Sequence, residues 1–300
     1  MTNSAAIPRA IQTSARSAYR RNRSSKAPRV LFGIGRWTAL AVLLSAVLFP
    51  FTWMIVSSIK PNAEVLIYPP RLLPQNPTFE NFSAIFSGVM GRGFFNSILA
   101  AGVSTILVLV LATPAAYALS AHRFPGDAGK TISLGFLLLR FLPPFAILVP
   151  MFVLMRTFGL IDSPGALILV YTAIHLPIGI WVLRPAIRAI PSEVLEAAQM
   201  DGAGPFRVFW SIVTPLVRPA LATTAAFCAI FAWNEFIFAL VLTQNRGRTY
   251  TVLAASFVTE AGPQWGMIAA TAVIACIPIA ALCVFLNRHL ISGLAAGAVR

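Results

Sequence analysis

Apolar residues in this chain gather into long uninterrupted runs, and polar residues collect between them. A helix needs roughly 20 apolar residues to cross a hydrocarbon core. Six runs reach that length: 37–57, 95–121, 131–155, 164–187, 216–242 and 267–286. The pattern predicts an all-α, polytopic membrane protein with six transmembrane helices. Residues 1–36 read as a basic arm, 37–290 as the six-span domain and 291–300 as a short tail. The first run is too long and intact for a signal-peptide core and reads as an uncleaved anchor.

Composition agrees. Apolar residues make up 58% of the 300, charged residues 11%, and mean hydropathy is +0.79. Soluble domains carry about 25% charged residues, so nothing here calls for a large aqueous domain.

Charge orients the spans. The arm holds Arg9, Arg16, Arg20, Arg21, Arg23, Lys26, Arg29 and Arg36 and no acid. Arg123, Lys130, Arg184, Arg188, Arg207, Arg218, Arg288 and Arg300 fall on the same side. Only Lys60, Arg71, Arg92, Arg156, Arg246 and Arg248 fall on the other. The positive-inside rule then puts both termini in the cytoplasm. The net charge of +14 invites a nucleic-acid reading, but its excess sits in an arm without apolar periodicity, which reads as disordered. A topology determinant that touches anionic lipid fits it better. An organellar transit peptide is the weaker alternative, since no cleavage site stands out. Cys228, Cys276 and Cys283 lie in spans and suggest neither disulfide nor metal.

Several features inside the runs bear on function. Pro50, Pro114, Pro143, Pro144, Pro150, Pro177 and Pro278 each remove a backbone hydrogen bond. Simple kinks and a shape-changing cavity both fit them. Arg140 and Glu235 lie deep in apolar sequence, where a charge costs roughly 2.5–3.5 kcal/mol on insertion scales, so each must face protein or water. Glu235 follows Trp233 and Asn234 in "AWNEFIFAL". An interhelical hydrogen-bond network and a solute-path lining are both open for this cluster. His122, His175 and His289 are scattered and form no metal or catalytic set. "GDAGKT" lacks the first glycine and the preceding strand of a phosphate-binding loop.

Two loops on the outer side are long. "PTFENFSAIF" predicts a short amphipathic helix with Phe79, Phe82 and Phe86 on one side. Residues 243–266 are polar enough to meet a soluble partner.

The stretch 191–215 predicts a helix pair too short and too charged to span. Ser192 suits an N-cap, Glu193 and Glu196 the first turn, and Gly202 a positive-φ C′ position. Pro205 suits the start of the second helix, on which Phe206, Phe209, Trp210 and Val213 make one apolar face. Glu196-Ala197-Ala198 offers a small outward surface for docking in a groove. A merely interfacial helix and a DNA-reading helix-turn-helix are the rivals.

This stretch resembles the EAA loop of ATP-binding-cassette importer permeases, through Glu196–Ala198, Asp201-Gly202, Ile212 and Pro215. The likeness extends over nearly everything after the arm, and is greatest to carbohydrate-uptake permeases of the maltose-transport inner-membrane type. It is carried by Asn96-Ser97, "AAYALSAHRF", "LPPFAILVPMFVLMRTFGLIDS", "LPIGIWVLRPAIRAIPSEVLEAA", "WNEFIFAL" and "GLAAGAV". The resemblance implies a multi-pass subunit of the bacterial inner membrane, paired most often as a heterodimer with a second permease. Two separate ATPase subunits would bind the ATP, so the chain itself needs no cofactor, and an extracytoplasmic binding protein would deliver solute. Glu196, Ala197, Ala198, Asp201 and Gly202 would couple to the ATPase. Trp233, Asn234, Glu235 and Arg140 are candidates for the solute path. The long basic arm and Arg140 depart from the family pattern, which leaves polyols, oligosaccharides and phosphorylated sugars open. A secondary carrier for a small polar solute is the alternative, though no repeat of matching halves is evident.

Overall fold

The computed structural model describes the backbone of residues 26–121, 128–260 and 262–297. Side chains are described for 35–120 and 129–284, except 137, 140 and 261. Residues 1–54 and 55–300 form separate compact units.

In the first unit the helix α1 (Lys26–Ser58) begins, so residues 26–36 of the expected arm are helical. Residues 1–25 lie outside the described residues. Trp37, Leu43, Val47 and Phe49 on α1 are all exposed. A helix apolar on every side matches a membrane span.

The second unit holds the other helices. Short α2 (Asn62–Val65) and α3 (Glu80–Phe86) precede α4 (Gly88–Ala121), α5 (Ala128–Arg140), α6 (Pro144–Thr157) and α7 (Pro164–Arg188). α8 (Ser192–Met200) and α9 (Pro205–Val208) follow, then a π-helical turn at Phe209–Val213 and α10 (Thr214–Leu216). The remainder is α11 (Arg218–Trp233), α12 (Ile237–Leu242), α13 (Tyr250–Ala255), a two-residue-stranded hairpin (Val258–Thr259 with Gly262–Pro263) and α14 (Trp265–Gly297).

Four helices among the described residues are long and apolar enough to cross a membrane. The other two predicted stretches are broken. Residues 131–155 divide into α5 and α6 at 141–143, where Pro144 disfavours the α conformation of the residue before it. Residues 216–242 divide into α11 and α12, and Pro205–Leu216 meets Arg218–Trp233 at a 75° bend.

α4 and α7 make the most extensive contact. Lipid is as apolar as a side chain, so helices in a membrane associate through close van der Waals packing of small residues. Gly179 of α7 sits so close to α4 that an added Cβ would lie 2.8 Å from Val108 Cγ1 and 3.0 Å from the Ala112 Cβ. One cluster of buried residues, including Ala166, Tyr171, Trp233 and Phe238, joins α4, α7, α11 and α12. A second, including Val108, Leu183, Ala198, Val208 and Val213, joins α4 and α7 to the helix pair.

The segment between α1 and α3 is pinned by polar bonds. Lys60 is buried and its Nζ donates to the Arg71 carbonyl at 2.6 Å. The Glu64 carboxylate accepts the Gln75 N–H at 2.5 Å. α3 corrects one expectation: Ile85 is its buried residue, whereas Phe79 and Phe86 are exposed. Phe79 precedes the helix as its cap, so it lies outside the helical period.

Candidate functional site

Two regions collect the predicted residues. The first is the helix pair. Pro191, not Ser192, occupies the N-cap of α8, with no side-chain cap bond, and Ser192 is the first helical residue. The C-terminus follows the sequence closely. Gly202 has φ +78°, its N–H donates to Gln199 O at 3.0 Å, and the Ala203 N–H donates to Ala198 O at 3.0 Å. These two bonds are the Schellman pattern, which satisfies carbonyls that a helix end otherwise leaves orphaned.

Glu196, Ala197 and Asp201 are exposed on this turn. Ala198 is not; it is 7% exposed and packs in the core cluster with Val208 and Leu183. The small outward surface expected of Glu196–Ala198 is therefore reduced to Glu196 and Ala197, and Ala198 turns into the core.

The expected single apolar face of the second helix is split. Phe209 and Val213 are buried, while Phe206 and Trp210 are exposed. A π-helical turn, in which backbone bonds run i→i+5, begins at Phe209 within this stretch. Thr214 Oγ1 donates to Phe209 O at 2.8 Å inside it. The Phe209 ring lies 5.4 Å from that of Tyr117 of α4, tilted by 46°, a further tie between the pair and the spans.

The second region is the break between α11 and α12. Trp233 is buried: its Nε1 donates to Ala275 O at 3.2 Å, and its ring lies 4.8 Å from Tyr250. Asn234 is exposed at the C-cap of α11, with Nδ2 donating to Ile230 O at 2.8 Å. Glu235 is half-buried. Its carboxylate accepts the N–H groups of Phe238 at 2.9 Å and Ala239 at 3.1 Å, and the Tyr171 hydroxyl at 3.0 Å. The interhelical hydrogen-bond network foreseen for Glu235 is thus present.

The structure also places Glu235 on the wall of a cavity of about 520 Å³ between α5, α6, α7, α11 and α12. His175, Phe231 and Phe238 share that wall. Trp233 and Asn234 do not line it. Arg140 is the last residue of α5, and its side chain lies outside the described residues. Tyr171 and His175 had no place in the sequence-derived site. Their signal was present, as an i, i+4 polar pair on one face of an apolar helix.

Asp162, which sequence reading passed over, organises the loop after α12. It adopts φ +61° in the turn before α7. Its carboxylate accepts backbone N–H groups of Gln244, Asn245, Arg246 and Gly247 at 2.8–3.1 Å. Burial acts to raise its pKa, but these four bonds outweigh that and hold the carboxyl well below the usual carboxylate range. From the other flank, Asn96 Nδ2 donates to Arg246 O at 2.8 Å and Arg248 O at 2.9 Å. The Tyr250 N–H donates to Ser97 Oγ at 3.0 Å. Asn96-Ser97 therefore acts as an anchor for the loop 243–250. Among the described residues no group of His, Cys, Asp and Glu is placed to hold a metal.

The chain as a whole is similar to known transport proteins. The family model described as binding-protein-dependent transport system inner membrane component matches residues 112–295. The trehalose transport system permease protein SugB of Mycobacterium tuberculosis is 35% identical over 270 residues, which covers 88% of this chain and 97% of that protein. The diacetylchitobiose uptake system permease protein DasC of Streptomyces coelicolor is 32% identical, over 91% of this chain and 99% of its own. Among solved structures, a chain of a bacterial ABC transporter involved in the import of the acidic polysaccharide alginate superposes with a TM-score of 0.72. It covers 88% of this chain and 98% of that chain at 24% identity, a likeness of fold.

Proposed function

This chain belongs to the family of binding-protein-dependent transport system inner membrane components, and from that premise we propose that it is a carbohydrate-translocating membrane subunit of an ATP-binding-cassette importer. Its relatives named for trehalose and diacetylchitobiose support the solute class. It works in the bacterial inner membrane with both termini cytoplasmic, beside a second permease subunit that completes a heterodimer. Two ATPase subunits bind and hydrolyse the ATP, and an extracytoplasmic binding protein delivers the sugar. The chain needs no cofactor and carries no catalytic residue of its own.

The observation that carries this reading is the seating of α8. Its exposed side presents Glu196 and Ala197, while Ala198 is buried in the core cluster that also holds Val208 and Leu183. An ATPase cleft that takes the exposed side moves α8 as a rigid piece. Ala198 passes that movement to the cytoplasmic end of α7, and the π turn and 75° bend pass it to α11. α11 leads directly to the break at 234–236, so ATP-driven closure reaches the cavity wall through packed helices.

The test is a photo-crosslinker on Ala197→Cys in the whole transporter. The expected product joins this chain to the ATPase subunit, and its yield changes on ATP addition. A product with the ATPase never forming, or sugar uptake by the purified chain alone, overturns the reading.

A further inference from the structure

We infer that the groove between α4 and the elbow Pro205–Leu216 seats one anionic phospholipid of the cytoplasmic leaflet, its acyl chain lying along α4 and its phosphate meeting Arg207 and Arg218. The inference rests on the cytoplasmic placement of the elbow in the importer reading.

The groove holds about 670 Å³. The 75° turn between Pro205–Leu216 and α11 carries the elbow off the line of the span. The space beside α4 is walled by Leu109, Val110 and Tyr117 of α4 and by Phe206 and Trp210 of the elbow. Val110, Phe206 and Trp210 are all exposed, so the groove is open to its surroundings.

Its depth and chemistry select hydrocarbon. From Leu109 to Tyr117 the α4 wall runs about 12 Å along the helix axis. Leu109 lies about 18 Å from the end of α4 at Ala121, well inside a hydrocarbon core about 30 Å thick, where a soluble subunit does not reach. The wall makes no polar demand. Thr113 Oγ1 donates to Leu109 O at 2.6 Å and Thr214 Oγ1 to Phe209 O at 2.8 Å, so both threonine hydroxyls are turned back on their own backbone.

Charge selects the headgroup. Residues 202–234 carry Arg207 and Arg218 and no acid, and α4 carries only Arg92, near its opposite end. Glu193, Glu196 and Asp201 belong to α8 and its C-cap, before the Gly202 turn. Arg207 adjoins the groove residue Phe206, Arg218 lies between the groove residues Thr214 and Leu221, and both arginines are exposed. A guanidinium meets a phosphate through two parallel N–H bonds, and tryptophan beside basic residues is the usual anchor at an anionic membrane surface. A helix of the second permease is the rival occupant. It would fill the groove but leave two cations without an anion, whereas a phospholipid supplies both an acyl chain and a phosphate.

The test uses the whole transporter in proteoliposomes, with phosphatidylglycerol and phosphatidylcholine as probes, each carrying a diazirine on one acyl chain. The readout is labelling of 109–117 and 205–214 relative to the exposed face of α6 at Phe145, Val149 and Val153. Phosphatidylglycerol is expected to give a ratio about tenfold above that of phosphatidylcholine. Arg207→Gln with Arg218→Gln, both at exposed positions, is expected to bring the two lipids level. Val110→Trp fills the groove from an exposed position and is expected to lower labelling of the elbow about tenfold. A ratio equal for both lipids in the unaltered protein is bulk bilayer contact and overturns the seat, as does a ratio undiminished in the double Gln variant. A benzoylphenylalanine replacing Trp210 that crosslinks to the second permease or the ATPase also overturns it. Gly204→Cys in a cysteine-free background separates the two readings, since a Cβ there meets no atom within 4 Å. Reaction with an impermeant maleimide from outside the cell overturns the cytoplasmic placement and the seat with it. Protection from outside without preferred labelling overturns the seat alone.

Discussion

Asp162 Oδ1 accepts the backbone N–H of Gly247 at 3.0 Å, across 85 residues of chain. The bond closes a cage in which one carboxylate holds four successive loop amides, so the loop after α12 is fixed to the turn before α7 by a single side chain.

Asp162→Asn removes the charge and one of the two oxygens. Amide exchange at Gln244–Gly247 is expected to quicken about tenfold, with the spans unaffected. The pH dependence follows from a carboxyl held below its ordinary 3.8. The cage's stability is complete above that value and is lost as pH falls from there through the folded pKa. The gap in thermal stability between the unaltered protein and Asp162→Asn should be flat from about pH 5 to 8 and should narrow below about pH 4.

Gly247→Ala tests the same loop from the other side. A Cβ there would lie 2.9 Å from both Asp162 C and Ser163 N, which are backbone atoms that cannot swing aside. Overpacking of this kind costs about 1–3 kcal/mol. Limited proteolysis should cut the 243–249 loop faster in the variant than in the original.

Gly202 separates backbone from bulk. No atom lies within 4 Å of an added Cβ, so only φ +78° opposes substitution. Asn tolerates that region and a β-branched residue does not. Gly202→Asn is expected to keep most ATP-driven uptake, and Gly202→Val to lose it about tenfold or more while still inserting. Equal uptake in the two variants would refute a role for the turn geometry.

Glu196→Lys reverses a charge on the exposed side of α8. Co-purification of the ATPase is expected to fall at least about tenfold, the measure of a truncated interface contact, with normal membrane insertion. Undiminished co-purification would remove Glu196 from the docking surface.

Gly179→Val places a side chain into the α4–α7 contact, against Val108 and Ala112. The expected loss is about 1–3 kcal/mol, read as a lower unfolding temperature in detergent. An unchanged temperature would show that the two helices separate freely at this point.

Much of this was legible in order of residues alone. Run length marked four continuous helices, because a backbone in hydrocarbon must satisfy its own hydrogen bonds and so declares itself as about 20 apolar residues. Asp201-Gly202 and Pro205 marked the elbow, because a positive φ and a missing N–H are local matters. The Pro143-Pro144 pair held the signal for the α5–α6 break, but run length overrode it. Hydropathy told less about direction. Protein interior and lipid are equally apolar, so sequence could not say that Ala198 turns inward while Ala197 turns out, or that Trp233 is buried packing while Glu235 reaches a cavity. The ties that decide these matters, Tyr171 to Glu235 and Asp162 to Gly247, join residues 64 and 85 positions apart. Such pairs leave no periodic trace, since they are set by which helix faces meet, and only the folded chain brings those faces together.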